Sequence, residues 1–431
     1  MQEHIIKNYA ALATMPFRKD ALDILEAGYE AILTKNVIRG AVTRDGNTIC
    51  IKDMNVCFDD YERIFFVGVG KCAVDAATAL EEIIGDKITE GIVLDVKSGI
   101  FKKLTSRVGT HPFPTEQNVE AAKEIKAMLE KTTEKDLVLT VISGGGSSLL
   151  CLPHDIKCES ITKITKALMD KGAPIHEINT VRKHLSEIQG GWLAQMAFPA
   201  KVISLIFSDV PGNDIGTVAS GPTVLDTSTK VDAEEILMKY DAFTVCEVPY
   251  CEILETPKEE RYFKDVHNIL VVTNDTALEA MAKKATELAY GAVICSNCAE
   301  GEAREFGKKI ASDEYAAKGC YLYGGETTVT ISGKGTGGRN QEVVLGALPY
   351  LKEGMLVVGA ASDGWDNGDV AGALADKELF SLAEEMPVVF GNPEDFLKEN
   401  NSYEFFKKAG GHIQTGRTGA NVADFYFVLI K

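Results

Sequence analysis

Two patterns of apolar positions alternate along the chain. Short unbroken runs of β-branched and aliphatic residues suit strands buried on both faces, whereas apolar residues recurring every three or four positions suit helices that cover a sheet. The first helix is expected from Arg18 to Leu33, with Leu22, Leu25, Tyr29 and Ile32 or Leu33 on one face. A strand over Arg63 to Val69 follows, then the small-residue helix VDAATALEEII, a strand in GIVLDV, and a helix from Glu116 to Lys131. Further strands are expected at DLVLTVI, which begins at Asp136, and at Lys201 to Phe207. A second series opens at His267 with the strand NILVVTND, a helix from Thr276 to Ala289 and the strand AVICS. It continues with a helix from Gly301 to Lys318 and the strands CYLYGGETTVTI, MLVVGAA and DFYFVLI. Alternation of this kind predicts an α/β protein with doubly wound, mainly parallel sheets. The charged, poorly periodic stretch from Thr227 to Lys264 divides it into a Rossmann-like domain over 1–240 and a second α/β domain over 241–431.

Candidate chemistry gathers where these strands end. DLVLTVI runs into Ser143, Gly144, Gly145, Gly146, Ser147 and Ser148. Glycines let the backbone turn and bare its N–H groups, and serines favour a helix start, so the loop reads either as an anion site or as a tight strand-to-helix turn with no ligand. After the strand at Arg63, the residues Gly68, Gly70 and Ala73 fit the dinucleotide fingerprint G-x-G-x-x-A, and Asp95 supplies an acid at about the expected distance. Taken alone, that segment predicts a dehydrogenase. Lys71 complicates the reading, because it puts a cation in the turn, where it can hold a phosphate or carboxylate. The segment is no P-loop either, since Phe65 stands at the first glycine position and Cys72 replaces the magnesium-binding hydroxyl.

His111, in THPFP, is either ligand-facing or a hydrogen-bonded loop histidine. Arg182, Lys183 and His184 together read either as a local positive field suited to an anionic substrate or as a solvated helix face. Asp209, just past a buried strand and before Pro211 and Gly212, is placed as a general base or metal ligand. Glu326 lies in a second glycine turn. A third, GKGTGGRNQE, carries Arg339 and Asn340, and a guanidinium there can grip a carboxylate or phosphate with two prongs. Asp363, Asp366 and Asp369 share a loop that suits magnesium or a substrate hydroxyl. It is not an EF-hand, because Leu374 occupies the closing position.

Composition narrows the classes. A length of 431 residues favours two domains, and 45% apolar with 25% charged residues is ordinary for a globular protein. The net charge of -18 argues against a general nucleic-acid binder, so an anionic substrate needs a locally basic site. The N-terminus resembles neither a signal peptide nor a transit sequence, and no apolar run reaches a membrane span, so the cytoplasm is expected. Ten cysteines without framework spacing predict free thiols.

The ordered set SGGGSS, NTVRKHLSEIQGG, SDVPGND with ASGPT, GGETTVTISGKGTGGRNQE, SDGWDNGDVAGALAD and TGRTGANV resembles the type-2 glycerate kinase family, whose C-terminal part is the MOFRL domain. The similarity runs from about Phe66 to the C-terminus. It implies transfer of the γ-phosphoryl group of ATP to the 2-hydroxyl of D-glycerate, with Mg²⁺, by two α/β domains facing each other across a cleft. Three positions depart from the family pattern: Arg417 and Ala420 in the last motif, and Asn367 after Asp366. On this reading Ser143 to Ser148, with Gly68 and Gly70, hold the ATP phosphates. Lys71, Arg339, Asp209 and Asp363 are the catalytic candidates, Arg339, Asn340, Lys71 and Arg182 contact substrate, and Asp209, Asp363 and Glu326 are the metal candidates. The expected partner is the small molecule D-glycerate, with no nucleic acid and no membrane, and a homodimer is left open. Two other readings stand beside it: an NAD(P)H-dependent hydroxypyruvate reductase, and a non-catalytic sensor of sugar acids.

Overall fold

The computed structural model describes residues 4–246, 251–315, 318–385 and 391–431. They fall into two compact units, one of residues 37–271 and one that joins 1–36 to 272–431.

The unit of residues 37–271 begins with a small antiparallel meander, β1 (Val42–Asp45), β2 (Thr48–Ile51) and β3 (Met54–Cys57). Its main sheet contains β4 (Arg63–Val69), β5 (Glu90–Asp95), β6 (Thr105–Val108), β7 (Asp136–Ile142), β8 (Lys201–Phe207) and β9 (Val266–Val272), in the order β6-β5-β4-β7-β8-β9. The pairs from β6 through β8 are all parallel. Every residue of β7 is buried, as expected for a central parallel strand covered on both faces. Chain order reverses between β4 and β7, and such a switch point leaves a crevice beyond the carboxyl ends of the two strands.

The other unit has a sheet of β10 (Gly291–Ala299), β11 (Gly319–Gly325), β12 (Met355–Ala361), β13 (Gly372–Asp376), β14 (His412–Ile413) and β15 (Asp424–Ile430). Their order is β10-β11-β15-β12-β13-β14. Here the expectation of a mainly parallel sheet fails, because among the described residues only β10 and β11 pair in parallel. The last strand inserts between β11 and β12 against their direction. β13 follows β12 through residues 362–371 alone, a connection too short for a parallel crossover.

The expected division at 240/241 also differs from the two units. Residues 230–271 complete the first sheet through β9, although 247–250 of the irregular stretch lie outside the described residues. At the other end, the helix Pro16–Ile32 packs on the helix Asn274–Glu287, with Gly28 lying against Met281. Tyr29, fully buried, donates its hydroxyl to the Ala361 carbonyl at 2.8 Å. Arg18 clasps Asp376 through Nε at 2.6 Å and Nη2 at 2.8 Å. An amphipathic helix shows that it covers a sheet but not which one. Among the described residues no helix is long and apolar enough to cross a membrane.

Candidate active site

At the switch point the turns after β4 and β7 are bonded to each other. Lys71 donates its backbone N–H to the Gly144 carbonyl at 2.9 Å, and Ser143 N–H reaches the Val69 carbonyl at 2.9 Å. Gly70 has φ +123, and a Cβ there would collide with Ser143, so the two turns touch only because residue 70 is glycine. Gly145, at φ +82, is the second such position. A Cβ on it would lie 3.0 Å from Lys71 Cγ and 3.2 Å from His111 Cδ2, so both side chains lie over the bare loop. Gly145 and Ser147 are partly exposed, whereas Gly68 is buried within β4, and Ser143 is buried with its Oγ directed to Val69 O and Cys72 N–H. Gly68, Gly70 and Ser143 therefore shape the loop from behind rather than line it.

Three polar side chains converge here. The ammonium of Lys71, the ring of His111 and the guanidinium of Arg182 form no hydrogen bond or ion pair among the described residues. Arg182, on the helix Ile175–His184, lines a pocket with Ser147, Ser148, Phe113 and Gln189, and burial pulls its pKa below the ordinary value. His111 is exposed by surface area, with its ring lying against the glycine loop. Desolvation by the neighbouring protein first, then the charges of Lys71 and Arg182, push its pKa down to about 4. Unpaired cations in a chain of net charge -18 mark a place prepared for an anion.

The loop is braced from the far side. Gln189 Nε2 donates to the carbonyls of Ser147 and Leu150, each at 2.8 Å, and Ser147 Oγ meets Ser220 Oγ at 2.9 Å. Ala219, Ser220 and Gly221 all take left-handed backbone, with φ of 52, 58 and 57. For the first two this costs on the order of 1–3 kcal/mol each, a strain typical of sites held for function. Asp209 lies past β8, the next strand over, and is half-buried. Lys71, the glycine loop and Asp209 thus stand at the carboxyl ends of three neighbouring strands.

In the other unit the predicted residues are largely bonded to one another. Arg339 opens the helix Arg339–Ala347 and gives Nε to Asp424 Oδ2 and Nη1 to Glu326 Oε1, both at 2.5 Å. Asp424 is buried at the start of β15 and also accepts from Tyr426. Burial lifts its pKa to about 7 against the pull of Arg339, with Asp366 and Glu326 adding to the rise. Asp366 is buried too and caps the same helix. Its carboxylate takes N–H and Nδ2 of Asn340 at 3.0 and 3.1 Å, and N–H and Nε2 of Gln341 at 2.9 Å each. Asn340 is thus a fully buried brace for Asp366 rather than an exposed substrate contact. Asp363 remains partly exposed, with Oδ1 on Trp365 N–H at 2.9 Å and Oδ2 3.7 Å from Arg417, whose guanidinium stacks 4.3 Å above the Trp365 ring. Asp366→Ala is expected to lower stability by about 3 kcal/mol, since it strands several buried donors and uncaps a helix. A shift in the urea midpoint measures this, and an unchanged midpoint would refute the capping role.

Sequence reasoning ranked Arg339 with Lys71, left His111 undecided and did not anticipate Asp424. The Asp95 carboxylate, needed by the dinucleotide reading, is buried and accepts from Val74 N–H at 2.9 Å and Val96 N–H at 2.6 Å. It holds a helix start and does not face a ribose. Among the described residues no three metal-binding side chains converge, and Glu326 is paired with Arg339.

A family model described as a domain of unknown function, DUF4147, matches residues 20–255, and the MOFRL family model matches residues 319–424. The chain is 35% identical over 429 residues to the D-glycerate 2-kinase of Thermotoga maritima, covering 96% of this chain and 98% of that one. It is 36% identical to a putative hydroxypyruvate reductase of Agrobacterium vitis, covering 85% and 87%. Among solved structures, glycerate kinase from Thermotoga maritima superimposes with a TM-score of 0.84 at 33% identity, over 96% of this chain and 99% of that one.

Proposed function

The chain belongs to the type-2 glycerate kinase family, and from that premise we infer that it transfers the γ-phosphoryl group of ATP to the 2-hydroxyl of D-glycerate, giving 2-phospho-D-glycerate and ADP. The observation that carries this reading to particular residues is the unpaired Lys71 lying over Gly145 at the switch point. Phosphoryl transfer asks for little covalent chemistry from a protein. It needs phosphates held in line and their charge neutralised in a preorganised site. Lys71 supplies a fixed positive charge, and the loop from Gly144 to Ser148 supplies close backbone approach. Arg182, lining the pocket behind Ser147 and Ser148, suits the glycerate carboxylate.

Magnesium fits this arrangement in a limited way. The ion is commonly held by one or two carboxylates together with substrate phosphates rather than by a protein cage, so Asp209 at the end of β8 is the residue assigned to it. When bound, it would neutralise charge on the β- and γ-phosphates. Asp363 belongs to the same reading as the second carboxylate candidate, and the cytoplasm is the proposed compartment. The reductase reading loses its ribose-binding acid through the burial of Asp95.

The test is an enolase-coupled assay with purified protein, ATP, Mg²⁺ and D-glycerate, phosphoglycerate mutase being omitted. ATP-dependent phosphoenolpyruvate formation is expected. ADP release without it would move the reaction to another hydroxyl, and NADH oxidation with hydroxypyruvate in its place would overturn the kinase reading.

A further inference from the structure

The loop that carries His111 is fastened more firmly than its exposure requires. Asn118, fully buried on the helix Glu116–Leu129, donates Nδ2 to the Thr110 carbonyl at 3.0 Å and to the Ser148 carbonyl at 3.1 Å. Its Oδ1 accepts Thr110 N–H at 3.0 Å and Thr115 N–H at 3.1 Å. On the other side of His111, Ser148 Oγ donates to the Pro112 carbonyl at 2.6 Å. The residues flanking His111 are therefore tied to the serine loop on both sides, which fixes the ring over Gly145 beside Lys71. None of these bonds engages the imidazole itself. A histidine whose loop is held so firmly, open to solvent and bonded to nothing among the described residues, is free to meet a ligand.

We propose that His111 is a catalytic residue of the phosphoryl transfer, accepting the hydrogen of the substrate's reacting hydroxyl on a ring nitrogen. The proposal rests on the kinase reading and assigns a residue to the acceptor side of it. The three unpaired groups differ in what they can hold. Lys71 and Arg182 are cations suited to phosphate and carboxylate, whereas His111, near enough to feel both charges, is the group of the three suited to an uncharged hydroxyl. Partial desolvation and the two cations keep the ring neutral at physiological pH, so it offers a lone pair rather than a second N–H. As the bond from the hydroxyl oxygen to the γ-phosphorus forms, the bond from that phosphorus to the bridging oxygen breaks and ADP leaves with the electron pair. The hydroxyl proton passes to His111 and from the exposed ring to solvent. A ring of low basicity suffices, because a loose, metaphosphate-like transition state makes little demand on a base.

The experiment compares wild type with His111→Ala and His111→Gln in the coupled assay. It also measures by calorimetry the binding of D-glycerate against 3-hydroxypropionate, which lacks the 2-hydroxyl. His111→Ala is expected to lower kcat by about 100-fold. His111→Gln, which keeps a neutral acceptor, should recover about tenfold of that loss. Wild type should favour D-glycerate over 3-hydroxypropionate by about tenfold, and His111→Ala should bind the two equally. Wild-type-like kcat in His111→Ala, or a preference for the hydroxyl that survives the substitution, would overturn the assignment while leaving the kinase intact. A wild-type protein that does not phosphorylate D-glycerate would instead remove the kinase reading and the role of His111 with it.

Discussion

Lys71→Ala should depress kcat/KM for D-glycerate phosphorylation by two to three orders of magnitude while leaving thermal stability nearly unchanged. The two halves of this expectation have separate causes. The ammonium makes no hydrogen bond or ion pair among the described residues, so its removal breaks none of either there. The backbone N–H that ties the turn to Gly144 is retained by alanine. In the reaction, one preorganised charge aimed at developing negative charge contributes about 3 kcal/mol, which is roughly 100- to 1000-fold in rate. Steady-state kinetics and a melting curve on the same preparation decide the matter. Near-wild-type turnover would remove Lys71 from the site, and a large loss of stability would show that the side chain is structural. Lys71→Arg should rescue little, because the longer planar group must fit a turn where Lys71 and His111 already crowd Gly145.

The strands that bear the site were legible because they are buried on both faces. Continuous apolar runs located β4, β8, β12 and β15 to the residue, and the glycine loop after β7 was found the same way. The short strands β1 to β3, β6, β13 and β14 were missed, since two to five residues carry too little periodicity to separate from a loop. Strand direction was the larger omission. Apolar alternation says that β15 is buried but not that it enters between β11 and β12, which depends on pairings with residues far away in the chain. The same limit explains the N-terminal helix, whose partner at Asn274–Glu287 is distant in sequence.

For the site itself, sequence identified the residue types and not their engagement. Lys71 and Arg339 looked alike, each a cation in a glycine turn, and only the structure shows the Lys71 ammonium unbonded among the described residues and Arg339 held by two carboxylates. The aspartates after β12 looked equivalent in the same way. Yet Asp363 is partly exposed, Asp366 is a buried cap, and Asp369 accepts from the Tyr403 hydroxyl at 2.8 Å. No local signal separates a carboxylate that faces a ligand from one that holds a helix. His111 carried a weak signal in THPFP, but its importance came from Asn118 and Ser148, which fasten the loop on either side.

Arg339 is where the two kinds of reading diverge most, and its substitution should separate them. If its main task is to neutralise buried carboxylate, Arg339→Met will cost about 3 kcal/mol or more, because Asp424 is left charged and unpaired in a buried position. Asp424 would then take up a proton or lose its place at the start of β15. Adding Asp424→Asn to Arg339→Met removes that charge and should restore much of the stability, with a coupling of about 1–3 kcal/mol between the two sites. Kinetics of the double variant then report on catalysis without the confounding defect in folding. Turnover that returns with stability would make Arg339 a positioning residue that fixes β15 and the loop after β11. A stable double variant with turnover still down by about 100-fold would restore Arg339 to the catalytic role that its sequence context suggested. The cycle therefore needs all four proteins, with urea denaturation and initial rates measured on each. Arg339→Lys belongs beside them. An ammonium cannot reach Asp424 and Glu326 together in the way the guanidinium does through Nε and Nη1, so it should fall closer to Met than to wild type in stability.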